Sequence, residues 1–541
     1  MLILSSCNRG NTTSFIDLSS AFDKWFLMHN PTRSNSQNPY NFYIKNKISD
    51  RNYIRESILD LKRFKLELNQ IDSKKLKKLD LHKYNSIANQ IESHLYDYEI
   101  IKYYEKNPFY YIGRAKNNLL NILSDKSSSD DKKFNYIISF LDYFPEFLKK
   151  SKKSLIETNI YFNDKIHISI MEINELFDIF MNLEGTEFDW ELLNKKIINN
   201  KKVLNNYNIW LTENVPKVSF KVNEDERKIY KRFIEKIEDK YDNHNSIYSL
   251  KLSILNLQNN IFRLSLPIYL QKNDEPIWID RNDTIEVIDY VINKKINRHL
   301  PKDIESKMIE FDNKYSLIKS FVDSLGIINI DDSQSYTFVQ DNFLFGLYNK
   351  KIESISSFND SNLNVLLPSD DVYVYSSLYS LFIVNNILPE ILYNNASNHK
   401  VIFENDNMKY AWGKLLSNVL LENGFSAYDK NFELYHNIDL LRDFVDILLK
   451  DNIMNNDMDK DDLISLLQEK SFYTNTEAEL HINKVRFSND NNIEKYFNYI
   501  YLNNIYDLNC IVNKNTSHKH FIKLLFKNGF IPIHSYNSIL N

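Results

Sequence analysis

The sequence predicts a mainly α-helical protein, and three observations support this class. The chain of 541 residues contains only 8 glycines and 11 prolines. Sheet-rich and dinucleotide-binding folds need glycine at their turns and phosphate loops, so its scarcity favours helices. Hydrophobic residues make up 43% and aromatic residues 14% of the chain, which is typical of a globular protein. Most long segments repeat their apolar residues at helical spacing.

Helical periodicity and loop compositions together outline the elements. In ESILDLKRFKLELNQI, residues 56–71, the apolar side chains fall mostly on one helix face. The same pattern predicts helices over 134–148, 226–240 and 304–325. Loop-type compositions predict breaks at 124–131, 205–208 and 357–362. Two short strands are predicted, SYTFV at 335–339 and a β-branched segment at 365–375.

The charge distribution excludes nucleic acid as a partner. The net charge is −5 and the pI is near 6.2. Lysine and arginine are spread along the chain without a basic patch. No segment reaches the ~18 apolar residues of a membrane helix. Neither a repeat nor a linker divides the chain, so we predict one large helical domain over 19–541 behind a short N-terminal segment, 1–18.

The N-terminal segment carries a lipoprotein-like signal. LSSC at 4–7 resembles the lipobox of bacterial lipoproteins, in which the cysteine becomes lipidated, and the polar linker NRGNTTS follows. Only six residues precede Cys7, so the true start lies upstream or the signal has decayed. A random cysteine in a frayed terminus is the alternative. We expect lipidation at Cys7 and a cell-envelope location, periplasmic or outer-membrane facing. Cys510, in an apolar run, is expected to be buried.

Several stretches are similar, in order and spacing, to one bacterial family. NPFYYIG at 107–113 resembles its NP-x-Y element, and the denser matches lie within 370–541. These are YAWGKLLSNVLLENGF (410–425), LLRDFVDILLKDNIM (440–454) and FIKLLFKNGFIPI (521–533). The family is known as domain of unknown function 885: helical proteins of zinc-peptidase (gluzincin) type, many of them lipoproteins. The resemblance implies a zinc-peptidase-like helical domain with a few short strands near the former active site.

The resemblance also implies that the catalytic positions have changed. Active members use HE-x-x-PGH, in which two histidines bind zinc and the glutamate is the general base, and a later glutamate completes the site. In this chain Leu381 and Ile387 stand at the histidine positions, Phe382 at the general base and Ser417 at the later glutamate. The other changed positions are Asn385, Asn386, Leu448, Lys450, Ile522 and Lys523. Apolar side chains cannot coordinate a metal, so we expect no catalytic residue and no cofactor, although active members would bind zinc.

Structural positions of the family are retained, and some of them are candidate binding residues. The retained residues are Trp412, Gly424, Arg442, Asp446, Gly529 and Pro532. The candidate binding residues are Arg442, Asp446, Arg486 and Tyr499. Because Arg442, Asp443 and Asp446 share one predicted helix, we also expect a buried ion pair among them, with a structural role.

Three other patterns have simpler explanations than a metal site. His436 and Asp439 lie one turn apart, which favours a surface hydrogen bond over a ligand pair. His518 and His520 alternate on a helix and point apart, so a solvated pair is expected. The acidic run 455–462 lacks the central glycine and final glutamate of an EF-hand loop, and predicts a helix-capping turn.

Three functions remain open from the sequence. The favoured one is a catalytically inactive, peptidase-like lipoprotein that binds a peptide or an envelope protein in the old cleft. The second is an active metal-dependent peptidase or hydrolase whose ligands lie outside the aligned positions. The third is a purely structural envelope lipoprotein without a cleft. If the alignment does not hold, 378–392 is a buried helix of another fold.

Overall fold

The protein is mainly helical, as predicted. The computed structural model describes residues 11–29, 51–124, 129–181, 189–218, 220–241, 246–270, 284–294, 303–327, 336–341, 353–356, 363–368, 376–395, 406–456, 458–487, 491–512 and 517–528. The chain forms two compact units, one of residues 1–219 with the short pieces 357–360 and 401–404, the other of the remainder. The single domain over 19–541 stays a prediction.

The first unit is built from helices around aromatic and aliphatic cores. Its elements are α1 (Asn11–His29), α2 (Arg51–Asn69), α3 (Lys78–Leu95), a π-helical turn (Tyr96–Ile101), α4 (Tyr103–Lys106), α5 (Phe109–Ser124), α6 (Asp130–Ser154), α7 (Ile160–Met181) and α8 (Trp190–Asn214). The predicted break at 205–208 is wrong, because α8 runs through it. Leu204, Tyr207 and Leu211 are buried on one face, and this burial outweighs the modest helix propensity of the asparagines between them.

The second unit contains the remaining helices. They are α9 (Glu224–Tyr241), α10 (Ser246–Leu270), α11 (Thr284–Asp289), a π-helical turn (Tyr290–Lys294), α12 (Ile304–Leu325), α13 (Ser376–Phe382), a π-helical turn (Ile383–Ile387), α14 (Leu388–Asn395), α15 (Asp406–Glu422), α16 (Phe432–Asn455), α17 (Lys460–Ser471), α18 (Asn475–Phe487), α19 (Asn491–Tyr506), a π-helical turn (Asp507–Val512) and α20 (His518–Asn528). Among the described residues, no helix is long and apolar enough to cross a membrane.

A small sheet also belongs to the second unit. Its strands are β1 (Tyr336–Asp341), β2 (Glu353–Ser356) and β3 (Leu363–Pro368). The central strand, β3, pairs parallel with β1 and antiparallel with β2. The predicted strands at 335–339 and 365–375 overlap β1 and β3, although 369–375 lie outside the described residues. Their place near a former active site stays a prediction.

Helix ends follow local capping rules where the sequence predicts them. The predicted helix 304–325 has the bounds of α12. The carboxylate of Asp303 accepts the Ser306 amide at 2.7 Å, and Gly326, at φ 60°, ends the helix. The predicted capping turn in 455–462 is confirmed, because Asp459 accepts the Asp462 amide at 2.8 Å where α17 begins.

Helix α15 crosses the π-helical turn Ile383–Ile387 at Gly413. A Cβ at this position would lie 2.7 Å from the Cα and 2.8 Å from the carbonyl carbon of Asn385. Only glycine therefore allows the two backbones to pack so closely. The neighbouring Trp412 is 1% exposed and fills the core beside this crossing. The crossing brings α15 side chains next to the segment that the resemblance aligns with the zinc helix.

We predict that Gly413→Ala destabilises the second unit by about 3 kcal/mol, because the methyl group would overlap the Asn385 backbone. The control is Gly424→Ala, where no atom lies within 4 Å of the added Cβ and only the positive φ of 87° opposes the change. That variant should lose about 1–2 kcal/mol. Urea unfolding followed by circular dichroism compares them, and equal losses would contradict the close approach.

Candidate functional site

Helix α16 carries a row of polar side chains through the interior of the second unit. His436, Asp439, Asp443, Asp446 and Lys450 recur every three or four residues and therefore lie along one face, here called the α16 polar stripe. Most other residues of α16 are buried, as are His436 and Lys450, whereas the three aspartates of the stripe are partly exposed. Because an unpartnered buried polar group is costly, each member of the stripe needs a partner from another element.

The centre of the stripe holds the ammonium group of Lys414, which α15 contributes. Its side chain is only 3% exposed, whereas the side chains of Asp439 and Asp443 are 34% and 35% exposed. The ammonium contacts Asp439 in a short ion pair and lies 3.0 Å from Asp443. Burial alone would lower the pKa of Lys414, but the two carboxylates outweigh burial and raise the pKa above its usual value. Lys414 therefore remains positively charged.

Two further side chains complete the surroundings of this ammonium. The Tyr410 hydroxyl donates to Asp443 at 2.5 Å, and the ring of Tyr410 has its centroid 5.1 Å from the Lys414 nitrogen. Burial and the Asp443 charge raise the pKa of Tyr410, so it stays a neutral donor. The amide of Asn385 donates to Asp439 at 3.3 Å. We call Lys414, Asp439, Asp443, Tyr410 and Asn385 the Lys414 cluster.

The aligned zinc positions lie beside this cluster, but they do not fit zinc. The Ser417 hydroxyl donates to Asn385 at 2.8 Å, so the two aligned segments do meet. Leu381, Phe382 and Ile387 are buried in the apolar core, at 6%, 7% and 0% exposure. None of these four side chains supplies the imidazole or carboxylate ligands that zinc requires. Within the described ranges, no group of three or more histidine, cysteine, aspartate or glutamate side chains is placed to hold a metal ion.

The prediction of a surface hydrogen bond between His436 and Asp439 is wrong. His436 is 1% exposed, and its Nε2 donates to the side-chain oxygen Oδ1 of Asn418 at 2.7 Å. The Asn418 amide in turn donates to the Tyr499 hydroxyl at 2.9 Å and to Asn503 at 2.8 Å. Burial, together with the charge of Lys414, lowers the pKa of His436 to about 3. Tyr499 is thus a buried member of this network, and burial raises its pKa to about 12.

The predicted ion pair among Arg442, Asp443 and Asp446 is also wrong, because each group has another partner. Asp443 contacts Lys414, and Asp446 forms a short hydrogen bond with His481 of α18. The Arg442 guanidinium lies 4.3 Å above the Tyr473 ring.

The segment between α17 and α18 holds the ring of Tyr473 under Arg442. Phe472 precedes it with φ 57°, a left-handed conformation that bulky residues rarely adopt. The Tyr473 ring also lies 4.8 Å from the His481 ring. Arginine, tyrosine, histidine and aspartate side chains therefore meet at this end of the stripe, and all four side chains belong to residues that are partly exposed.

Lys450 and Arg486 meet at the last turn of α18. The Lys450 ammonium donates to the carbonyl oxygens of Val485 and Arg486 at 3.2 and 3.3 Å, so its charge faces the negative end of the helix dipole. The Arg486 guanidinium, 4% exposed, contacts both oxygens of Glu226 at 2.9 and 3.1 Å and the Phe220 carbonyl at 2.8 Å. Both side chains therefore hold the fold together from inside.

The two aligned residues of the closing segment, both on α20, differ in burial. Ile522 is buried and Lys523 is exposed. His518 is not merely solvated, since its Nδ1 contacts the Tyr506 hydroxyl, whereas His520 is exposed as expected. Cys510 is buried, which confirms its predicted role. Cys7, Gly529 and Pro532 lie outside the described residues.

Sequence reasoning missed Lys414, the residue around which the site is organised. Tyr410 and Lys414 lie four residues apart in the mostly apolar stretch YAWGKLL, 410–416, and Asp439 and Asp443 repeat that spacing on the next long helix. Matched spacings of this kind place side chains on single faces that can meet. A lysine inside the apolar stretch 410–416, together with such an aspartate pair, is the signal that could have found the site.

We predict that His436→Gln makes the protein less sensitive to acid. The pKa of His436 falls from its ordinary value of 6.5 to about 3 in the folded chain, so only the unfolded chain takes up its proton between these values. Stability is therefore full above pH 6.5 and is lost as pH falls towards 3. Thermal melts from pH 7 to 4 should show a smaller loss for the variant. Parallel losses would rule out a titrating His436.

Comparison with known proteins identifies the fold and leaves the family open. No protein-family model matches the chain, and no curated protein matches it. A solved structure of a predicted lipoprotein of unknown function from Shewanella oneidensis has a TM-score of 0.70 and 16% identity, covering 97% of this chain and 99% of that one. A second, a predicted lipoprotein from Colwellia psychrerythraea, has a TM-score of 0.69 and 11% identity, covering 98% of each chain. The chain shares its whole fold with these two proteins.

Proposed function

We propose that the chain is a catalytically inactive, peptidase-like lipoprotein that binds a peptide or another envelope protein instead of cleaving it. The observation that carries the proposal is the Lys414 ammonium, fixed between Asp439 and Asp443 beside the aligned zinc positions. A zinc peptidase uses its metal to activate a water molecule for attack. A fully paired ammonium group cannot supply that chemistry, and the aligned residues are apolar or serine.

The titration behaviour of Lys414, Tyr410 and the neighbouring His436 also supports inactivity. A general acid or base works best when its pKa lies near the operating pH. The pKa of His436 is lowered to about 3, and the pKa values of Lys414 and Tyr410 are raised above their usual values. None of these three groups exchanges a proton readily near neutral pH.

The binding part of the proposal rests on Arg442 and its surroundings. The Tyr473 ring lies against the guanidinium. Asp446, one turn further along α16, pairs with His481 of α18, and the His481 ring also contacts the Tyr473 ring. Arginine and tyrosine are the residues that most often dominate binding energy at interfaces. A guanidinium held in this way would donate to a peptide carbonyl or terminal carboxylate. Arg486 and Tyr499 would then act indirectly, by supporting the helices from inside.

The envelope location rests on two independent observations. LSSC at 4–7 resembles a lipobox, with a polar linker after the cysteine. Both compared structures with this fold are predicted lipoproteins. A lipid on Cys7 would tether the helical fold to the membrane, consistent with the finding that no described helix could span it.

Incubating immobilised protein with a complex peptide pool and Zn²⁺ tests catalytic inactivity and peptide binding together. We expect less than about a tenth of an equivalent of zinc after desalting. We also expect peptides to be retained but uncleaved by mass spectrometry. Arg442→Ala should lower retention severalfold, whereas Lys527→Ala, a change at an exposed lysine of α20, should leave it unchanged.

The outcomes of this experiment separate the three candidate functions. Stoichiometric zinc with new peptide termini would establish an active metallopeptidase and refute the proposal. If the wild-type protein neither cleaves nor retains peptides, and Arg442→Ala behaves in the same way, a purely structural protein would be favoured.

We predict that Cys7→Ala abolishes lipidation. In cells fed a radiolabelled or alkyne-bearing palmitate, the wild-type protein should carry label and sediment with membranes. Cys7→Ala should be unlabelled and move to the soluble fraction, whereas Cys510→Ala should keep both label and location because Cys510 is buried. Label on the Cys7 variant, or none on the wild type, would contradict the lipobox.

A further inference from the structure

Contacts between α1 and α2 of the first unit fix the relative direction of these two helices. Near the end of α1, the ring nitrogen Nε2 of His29 lies 3.1 Å from the Ser57 hydroxyl oxygen. Seven residues earlier on α1, the Phe22 ring meets the ring of Phe64, seven residues later on α2, with centroids 5.3 Å apart. Helix α2 therefore runs antiparallel to α1 and ends beside the first turns of α1.

Helix α3 starts at that same end. The Phe15 and Tyr84 rings lie 6.2 Å apart, and the Phe26 and His94 rings lie 5.8 Å apart. The contacts advance together along both helices, so α3 runs parallel to α1. It begins at Lys78, fewer than two turns before Tyr84. The link between α2 and α3 therefore lies where α1 begins.

This link carries exposed lysines on a backbone that the core holds in place. Ile71 and Leu76 are buried in the core that α1, α2 and α3 share. Lys74, Lys75 and Lys77, here called the lysine turn, are exposed. Because the buried neighbours fix the backbone, the three ammonium groups stay at this end of the core.

The predicted lipid attachment site is tied to the same end. Cys7 lies outside the described residues, but only three residues separate it from Asn11, where α1 begins. Four residues of fully extended chain span at most about 14 Å. A lipid on Cys7 would therefore bring the beginning of α1, and with it the lysine turn, to the membrane surface.

We propose that the lysine turn binds the anionic phospholipid headgroups of the membrane that holds the Cys7 anchor. The inference rests on the lipid anchor of the proposed function and adds to it a second membrane contact, made by the folded part of the chain. It also determines which end of the α1–α3 core faces the lipid.

A second contact is effective because one acyl chain binds a membrane only marginally. Each lysine held near an anionic surface strengthens binding about fivefold. Three lysines would not hold a free protein there, but they act on a chain that the lipid already keeps at the surface.

The local charge balance favours this contact. Three acidic residues oppose it: Asp72, which forms an ion pair with the turn at 3.3 Å, Asp17 and Asp80. Over 8–20 and 71–80, five basic residues still outnumber these three, whereas the whole chain has a net charge of −5. This end is therefore positive on a negative protein, as attraction to an anionic membrane requires.

A second run of lysines in the first unit provides a matched control. KKSKK at 149–153 has the same lysine spacing as KKLKK at 74–78. It lies at the other end of α2, because the Arg51 guanidinium at the start of α2 donates to the Ser154 carbonyl oxygen at 3.2 Å. The 19 residues of α2 span about 28 Å, well beyond the Debye length of about 8 Å. An anchor at Cys7 therefore places only the run at 74–78 against the membrane.

The test supplies the anchor chemically, so that it does not depend on lipidation in cells. In the full chain with Cys510→Ala, Cys7 is coupled to a maleimide that bears one alkyl chain of about 14 carbons. Binding is measured by co-sedimentation with vesicles of phosphatidylcholine, either alone or with about one-third phosphatidylglycerol. We expect phosphatidylglycerol to strengthen binding about tenfold or more, and about 0.5 M salt to remove this gain.

A triple variant removes the proposed contact. Lys74→Gln, Lys75→Gln and Lys77→Gln together should lose most of the gain that phosphatidylglycerol gives, while binding to phosphatidylcholine alone should stay the same, because the alkyl chain is unchanged. Thermal melting should match that of the parent chain, since all three side chains are exposed.

The control triple variant is Lys149→Gln, Lys150→Gln and Lys153→Gln, which should keep the gain. It removes the same charge and, like the first triple variant, breaks one exposed ion pair at i,i+3 spacing, here with Glu146.

Three results would overturn the inference: no gain with phosphatidylglycerol in the parent chain, a gain that salt does not remove, or equal gains in the two triple variants. The first two are measured on the parent chain and hold even if a variant does not fold. Failure of the proposed lipid anchor looks different, since it would appear as missing label on Cys7 in cells and would leave the vesicle result unchanged.

Discussion

Among the buried charges of the second unit, the ammonium of Lys414 is the one that joins helix α15 to the aspartates of α16. Helix α16 passes through the interior with two aspartates on one face, and their charges are tolerated there only with a partner. Lys414 provides it from α15, a helix that reaches this depth because Gly413 lets its backbone touch that of Asn385. Removing one partner of such a pair costs about 3 kcal/mol, at the low end because the carboxylates are one-third exposed. The close crossing and the charge pair therefore require each other.

The rest of the α16 polar stripe extends this constraint along the helix. Its members reach different neighbours in turn: Asn418 and Lys414 on α15, His481 on α18, and the last carbonyl groups of α18. Apolar packing alone would allow α16 to rotate or slide by one turn at modest cost. Specific polar partners at several successive levels penalise such shifts, which gives the buried ion pairs a role in specifying the arrangement beyond their net stability.

Local features of the fold could be predicted from the sequence, whereas the partners inside it could not. The helix 304–325 was correct because its cap residues, Asp303 and Gly326, are encoded next to it. The break at 205–208 failed because burial of the opposite face overrides weak propensity. Spacing along their own helix predicts a surface position for His436 and Asp439, whereas their true partners lie on α15, 18 and 25 residues earlier in the chain. Alignment located Ser417 and the segment 381–387, but no local pattern in either stretch reveals the ammonium beside them.

Two kinds of residue lie at and beside the aligned zinc positions, namely buried apolar side chains and a paired lysine. Under the proposed ancestry, loss of a metal leaves buried polar ligands that must be removed or neutralised. Leu381 and Ile387 follow the first route, because an apolar side chain needs no partner in the core. Lys414 follows the second, since it gives the neighbouring aspartates a permanent counter-charge. Under the proposed function, folding would no longer depend on metal supply, which otherwise couples stability to the zinc and proton concentrations around the protein. A scaffold freed in this way can vary its outer residues towards a binding role while its interior remains fixed.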